Sequence, residues 1–460
     1  MNIAIFTDTY FPDINGIASS IYTLSNRLIS KGHHVYIFSI SAPTRKTKLV
    51  HSNPPVYRIP SVSIFFVKPY RAALPMYLDV LEICKKFKID IVHSQTEFSM
   101  GLMAMTIATS LGIPLIHTYH TMLEDYTYYI GNGKMVTPSA ARRYSAIFVN
   151  RVQALIVPTE KVKNSLTNWG AKGTPTYIIP SGINLRPFMK ENNSEDFTRQ
   201  IKKEFGIKDS DKVLLSIGRI AKEKSLDMAI RQMPEILKIN PDILFVIVGR
   251  GPATEDLKAL TIELNIQDRV IFPGSVSFDD VGKYYQIGDA FISCSTTETQ
   301  GLTYYEALAA GLPVIARYDD CIADVLEDTV NSRVFKDAKD LPLCVKEIFE
   351  NDETRARMSA KAVESVKGFD DEVFALRVEK AYYNTLNAFM TKRAQMDSHV
   401  PMHVVFKTQS FINRTLTLSV NGTKKIFKPV IRKSRNLNRR LSKKRMERIN
   451  RLTDLHDGGV

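Results

Sequence analysis

Short apolar runs, each parted from the next by a helix-length segment, recur in two series along this chain. The first series covers residues 2–6, 35–40, 89–92, 114–116 and 155–157; the second covers 213–217, 243–248, 270–272, 290–293 and 313–316. Runs this short and this continuously apolar read as strands buried on both faces, with helical crossovers between them. Ile17, Ile21, Leu24 and Leu28 recur at steps of four, three and four, one face of an amphipathic helix that Gly32 ends. The expectation is an α/β protein of two doubly wound parallel-sheet, Rossmann-like domains, with ligand between the carboxyl ends of the strands. The divisions expected are 1–190, 191–368, a closing helix over 369–390 and an extension over 391–460. The polar stretch 190–200 reads as the inter-domain linker, and 369–386 as a last amphipathic helix.

Four scattered cysteines, Cys84, Cys294, Cys321 and Cys344, lack paired or metal-like spacing and read as reduced core residues. The chain opens on a strand-like run with no basic leader, so no secretory signal is expected and the setting expected is cytoplasmic. Residues 98–116 carry no charge, yet Gly112-Ile113-Pro114 is a turn signal, so a buried helix and then a buried strand are expected there, not a membrane span. Of the net charge of +14, +13 lies in the last 70 residues. The basic balance belongs to a tail.

The richest window is ETQGLTYYEALAAGLPVIA, in which Glu298 and Glu306 are separated by seven residues. A helix starting at a glycine-flanked, uncharged turn leaves outward N–H groups that suit phosphate. Carboxylates beside such a site suit sugar hydroxyls, which are ready donors to an acceptor-only group. One glutamate for a ribose and one for a second sugar, with a diphosphate between, describes a nucleotide-sugar. Arg219 follows a strand and Lys224 comes five residues later; they read as two solvated cations or, beside the glutamate window, as a grip on diphosphate. Gly16 opens the first helix, either as a plain loop glycine or to let backbone N–H groups approach a phosphate. Neither that loop nor Gly249-Arg250-Gly251 completes a dinucleotide fingerprint, and no Walker lysine pattern occurs. His117 and His120 follow a strand; each reads as structural, with His120 also a candidate for contacting a transferred sugar. No third ligand at a convincing spacing makes them a zinc site. Asp279-Asp280 and Asp319-Asp320 read as helix-start or loop carboxylates.

With these motifs, the chain resembles the retaining two-Rossmann-domain (GT-B) glycosyltransferases of family GT4. The resemblance runs over roughly residues 1–390, through TDTYFPDINGIASSIYTLSNRL, HTYHTMLEDYTYYI, VPTEKV, PSGIN, SIGRIAKEKSLD, VGRGP and ETQGLTYYEALAAGLPVIARYDD in the family's order. Within the family it is similar to bacterial diacylglycerol glucosyltransferases. The resemblance implies UDP-glucose as donor substrate, diacylglycerol as acceptor, retention at the anomeric carbon, and neither metal nor cofactor. By position it implies Glu306 on the donor ribose and Glu298 on the hexose. It implies Arg219 and Lys224 on the diphosphate, the backbone of Gly16, Gly301 and Leu302 beside it, and His120 near the reacting face. Arg250 stands where an acidic residue is commoner. The first domain would be the acceptor side and the second the nucleotide-sugar side.

Such an acceptor implies an enzyme peripheral to the inner face of the cell membrane. Residues 62–71 (VSIFFVKPYR) read as a buried strand or as an apolar wedge with cations for an anionic leaflet. The segment 424–451 interleaves cations with Ile426, Phe427, Ile431, Leu437 and Leu441. It reads as lipid-adsorbing, as nucleic-acid-binding or as a solvated end. No nucleic-acid partner is expected. The alternatives are an acceptor that already bears a sugar and, from another class, a basic-tailed nucleic-acid binder with a retired transferase core.

Overall fold

The first half holds β1 (Asn2–Thr7), β2 (His34–Ile40), β3 (Lys48–Val50), β4 (Val56–Ile59), β5 (Ser61–Ser63), β6 (Arg71–Ala73), β7 (Ile91–Ser94), β8 (Leu115–Thr118), β9 (Ala154–Val157) and β10 (Thr176–Ile178), of which β1, β2, β7, β8 and β9 are the first series of runs. All but β5 and β6 form one sheet in the order β10-β9-β8-β7-β1-β2-β4-β3, with parallel neighbours except the antiparallel β3–β4 pair. The second series builds β11 (Lys212–Ile217), β12 (Ile243–Val248), β13 (Val270–Gly274), β14 (Ala290–Ser293) and β15 (Val314–Arg317); with β16 (Ser332–Phe335) they form one parallel sheet in the order β13-β12-β11-β14-β15-β16. Strand order reverses at β7/β1 in one sheet and at β11/β14 in the other. Crevices outside such switch points are where ligands bind in this architecture.

This computed structural model describes residues 1–399 except 14, 42–46, 65–70, 131–135, 278–279 and 296. Most of segment 62–71, Asp279 and the extension beyond 399 therefore lie outside the described residues. Met1–Phe389 forms one compact unit.

Both faces of each sheet are covered, which is why the strands are uniformly apolar: every residue of β12 is buried. The helix Gly16–Ser30, capped by Asn15 accepting from the Ala18 N–H, lays Ile21, Leu24 and Leu28 on the first sheet. The charge-free run is the helix Ser99–Leu111, ended by the left-handed Gly112, and then β8. Among the described residues no helix is long and apolar enough to cross a membrane. All four cysteines are buried and free.

Three expectations are corrected. The stretch 190–200 is not an open linker, because helix Glu195–Glu204 begins inside it and packs Phe197 and Ile201 on the second core. The last helix runs Asp371–His399, longer than expected at its end. The described ends of 62–71 belong to the small antiparallel pair β5–β6, where Val62 is 50% exposed, so they are not a buried strand.

The helix Asp371–His399 returns to the first sheet and seats Phe374, Ala375, Val378, Ala381 and Tyr382 among Ile3, Ile5 and Leu28. Arg27–Asp371 (2.8 Å) and Lys31–Glu379 (3.2 Å) add ion pairs with partly exposed cations. Pairs of that kind contribute about 0–1 kcal/mol, whereas each fully buried large apolar side chain contributes about 1.5–3 kcal/mol. Packing holds this helix. The chain thus crosses between the sheets twice, and the crossings touch: Ile183 bridges Asp370, and a Cβ on Gly182 would lie 2.3 Å from Phe374 Cβ.

Candidate functional site

The loops leaving β11, β12 and β13 stack closely because glycine occupies the contacts. Gly249 has φ 143°, its N–H donates to the Gly274 carbonyl (2.8 Å), and a Cβ there would lie 1.9 Å from the Gly218 oxygen. Arg219 leaves this floor just after β11, and Lys224 ends the short turn Lys222–Lys224. Across the switch point, β14 leads to Glu298 and then to Gly301, whose φ of 71° starts the helix Leu302–Ala309. A Cβ on Gly301 would sit 2.4 Å from the Tyr304 ring, so this helix start requires glycine. Arg219, Lys224, Gly218, Ser293 and Thr303 line one shallow hollow. A second, roomier hollow lies beside Arg250, Thr254, Lys258 and Phe272.

The cations of the first hollow already have acidic partners. Lys224 pairs with Glu298, and Arg219 pairs with Glu223, which also accepts from the Tyr128 hydroxyl (2.8 Å). Burial pushes the Glu298 carboxyl up, but Lys224, Ser295 and Lys161 together outweigh it and hold the group below the usual glutamate range. Glu306 differs. It lies one turn into its helix and accepts from the Tyr285 hydroxyl (2.7 Å); burial dominates and raises it above the usual range. One carboxylate is therefore held ionised and the other is reluctant to ionise, within one short helix start.

The first half closes over this loop. A Cβ on Gly16 would lie 3.5 Å from Leu302, which brings the start of the first helix to the start of Leu302–Ala309. Thr159 donates to the Thr299 carbonyl (2.9 Å), and Thr299 donates to the His120 carbonyl (2.8 Å). Gln300 exchanges two hydrogen bonds with the backbone of Ser181 (2.8 and 3.0 Å). Lys161 binds the Glu298 carbonyl (3.1 Å) and both oxygens of Asp319 (2.6 and 2.7 Å). Asp319 also caps the turn at Cys321, in keeping with a loop carboxylate.

His120 is held neutral, pushed down to about 3 by burial and then by His117. His117 is fully buried between Ser94 (2.8 Å) and Glu97 (3.3 Å), a structural histidine. Among the described residues no three His, Cys, Asp or Glu side chains gather as metal ligands would. The fold thus brings Gly16, His120, Glu298, Gly301 and Leu302 to one crevice, with Arg219, Lys224 and Glu306 on its second side. Sequence reasoning missed Tyr128, Lys161, Glu223, Tyr285 and Gln300. Tyr128, Lys161, Glu223 and Gln300 stood inside quoted motifs; for Tyr285 no local signal exists.

Residues 14–186 match the family model described as Glycosyltransferase Family 4, and residues 197–365 match Glycosyl transferases group 1. The chain is 36% identical over 433 residues to an alpha-monoglucosyldiacylglycerol synthase of Streptococcus pneumoniae, covering 93% of this chain and 96% of that one. It is 36% identical over 396 residues to the synthase of the same name from Acholeplasma laidlawii, covering 84% and 98%. Its fold is similar to that of Anabaena HepE in complex with UDP and glucose, at a TM-score of 0.69, 15% identity, and 84% and 100% coverage.

Proposed function

Because the chain belongs to glycosyltransferase family 4, we propose that it transfers glucose from UDP-glucose to the free hydroxyl of 1,2-diacylglycerol with retention. The observation that supports this is Lys224 beside two carboxylates of opposite tendency: it pairs with Glu298 and acts on Glu306, on either side of the glycine that starts the helix. In this reading Arg219, Lys224 and the N–H groups of Gly301 and Leu302 hold the diphosphate, Glu306 the ribose and Glu298 the hexose. Gly16 and His120 approach from the acceptor side, residues 1–190, and residues 191–368 form the donor side.

As the anomeric C–O bond breaks, negative charge grows on the departing diphosphate oxygen and positive character on the sugar ring. Fixed cations aimed at that oxygen stabilise it more in the transition state than in the ground state. The acceptor hydroxyl attacks from the face the diphosphate leaves, and the leaving oxygen takes the proton, so configuration is retained. Purified full-length protein is incubated with a panel of nucleotide-sugars and mixed lipids, and the product's anomeric configuration is read by NMR. The expected product is α-glucosyl-diacylglycerol from UDP-glucose. Glucose appearing only on a lipid that already bears a sugar overturns the acceptor assignment.

A bilayer-embedded acceptor calls for adsorption at the inner face of the cell membrane. Exposed Val62, Leu78 and Phe98 sit on elements of the acceptor side that pack together, where the Ala73 N–H donates to Ser99 Oγ (2.9 Å). The basic tail adds about 1 kcal/mol per cation near an anionic surface. Deleting residues 424–460 is expected to reduce co-sedimentation with phosphatidylglycerol vesicles, with the difference shrinking as salt is added. Activity on detergent-dispersed acceptor largely survives. Unchanged sedimentation removes the tail from this account.

A further inference from the structure

We propose that Gln95 is a positioning residue that fixes the tautomer of His120, and that Tyr382 on the returning helix secures Gln95 through His93. The inference rests on the reading of His120 as facing the transferred sugar. Gln95 and His120 follow adjacent strands, β7 and β8, and Gln95 Oε1 lies 2.6 Å from His120 Nε2. Gln95 is 2% exposed, so its amide cannot settle by bonding water. Its nitrogen lies 3.1 and 3.2 Å from the two ring nitrogens of His93 and so meets the ring, not one lone pair. Both of those ring nitrogens are already engaged: Nδ1 with the Tyr382 hydroxyl and Nε2 with Thr118 Oγ1, each at 2.7 Å.

That arrangement decides which way the Gln95 amide points. An N–H against an aromatic face is favourable, whereas a carbonyl oxygen there faces the ring's negative charge. The amide nitrogen is therefore turned to His93 and the oxygen to His120. A carbonyl oxygen accepts only, so His120 Nε2 must carry the hydrogen and Nδ1 is left as a lone pair. No described residue hydrogen-bonds that Nδ1. A neutral imidazole presenting an acceptor is what a sugar hydroxyl, a donor, can use. The line Tyr382–His93–Gln95–His120 ties the orientation of one ring in the crevice to the seating of a helix 262 residues later in the chain.

The test uses full-length protein with ¹⁵N-labelled histidine, with the His120 signal assigned by its loss in His120→Ala. The parent is expected to show the Nε2–H form, and Gln95→Leu a shift toward Nδ1–H. Gln95→Leu should lower kcat by about tenfold or more with donor KM within about twofold, the pattern of a lost transition-state interaction. Gln95→Glu keeps an acceptor oxygen and should recover activity at high pH. Its carboxylate raises the His120 pKa, so activity should begin to fall at a higher pH than in the parent as pH drops. Tyr382→Phe should move both readouts in the direction of Gln95→Leu, by less. A parent already in the Nδ1–H form, or Gln95→Leu within twofold of the parent in kcat, overturns the inference. Should His120→Ala keep full activity while Gln95→Leu still shifts the tautomer, it is the role given to His120 that fails.

Discussion

Lys224→Met is expected to lower kcat by about two orders of magnitude while the protein stays folded. One preorganised donor aimed at developing charge is worth on the order of 3 kcal/mol, and each 1.36 kcal/mol is about tenfold in rate. Breaking the ion pair also removes the strongest partner of the Glu298 carboxylate. The Lys224 side chain is 29% exposed, so the stability cost is well below that of a fully buried pair. A second signature follows from Glu298, whose carboxyl burial raises and Lys224 lowers. In the parent its folded value lies below the unfolded one. The stability it contributes is present above the ordinary glutamate value and is lost as pH falls through the lowered value. Without Lys224 the burial effect is opposed only by Ser295 and Lys161, so the acid limb of the kcat profile moves toward neutrality. Steady-state rates from pH 5 to 9 check both points. If Lys224→Met and Arg219→Ala each remain within twofold of the parent, these cations do not hold the diphosphate.

Glu306→Gln is expected to strengthen the free fold and weaken the donor complex at once. Burial raises the Glu306 carboxyl, and the Tyr285 hydroxyl and Lys224 offset only part of that. For a carboxyl raised on folding, stability is complete below its ordinary value and is lost as pH rises through the raised value. Glutamine still accepts from Tyr285 but cannot ionise, so it avoids that loss. The variant's Tm should exceed the parent's at pH 8, and the two should converge toward pH 4. Donor binding goes the other way, since an amide offers fewer acceptor sites to the ribose hydroxyls. Hydrogen bonds to a charged group contribute about 1.5–3 kcal/mol, which is roughly 10- to 150-fold in affinity. Calorimetric titration with UDP measures it, and an affinity within twofold of the parent would take Glu306 out of the ribose site.

The strands legible in the sequence were those buried on both faces, such as β11, β12 and β14, where doubly covered sheets demand unbroken apolar runs. β3 and β10 went unread because each is three residues long and partly exposed, too short to show a period; the four-residue β4 and β16 went unread as well, and the β5–β6 pair lies in a stretch that reads as one strand. The first part of helix Glu195–Glu204 reads as linker because Phe197 and Ile201 are the helix's only large apolar residues among charged neighbours. That Arg219 follows a strand end and that Glu306 lies inside a helix started at Gly301 was legible from local spacing alone. Lys161 with Asp319, and Tyr128 with Glu223, were not, because 158 and 95 residues separate the partners. Only the closed fold makes them neighbours.

The two strands of chain that pass between the sheets touch at Gly182, Ile183 and Asp370. Connections fastened side by side act as one pivot, so the halves can swing about a single axis but resist sliding or twisting past each other. Opening far enough to admit a nucleotide must then unlatch Thr159, Lys161 and Ser181 from the 298–300 loop together.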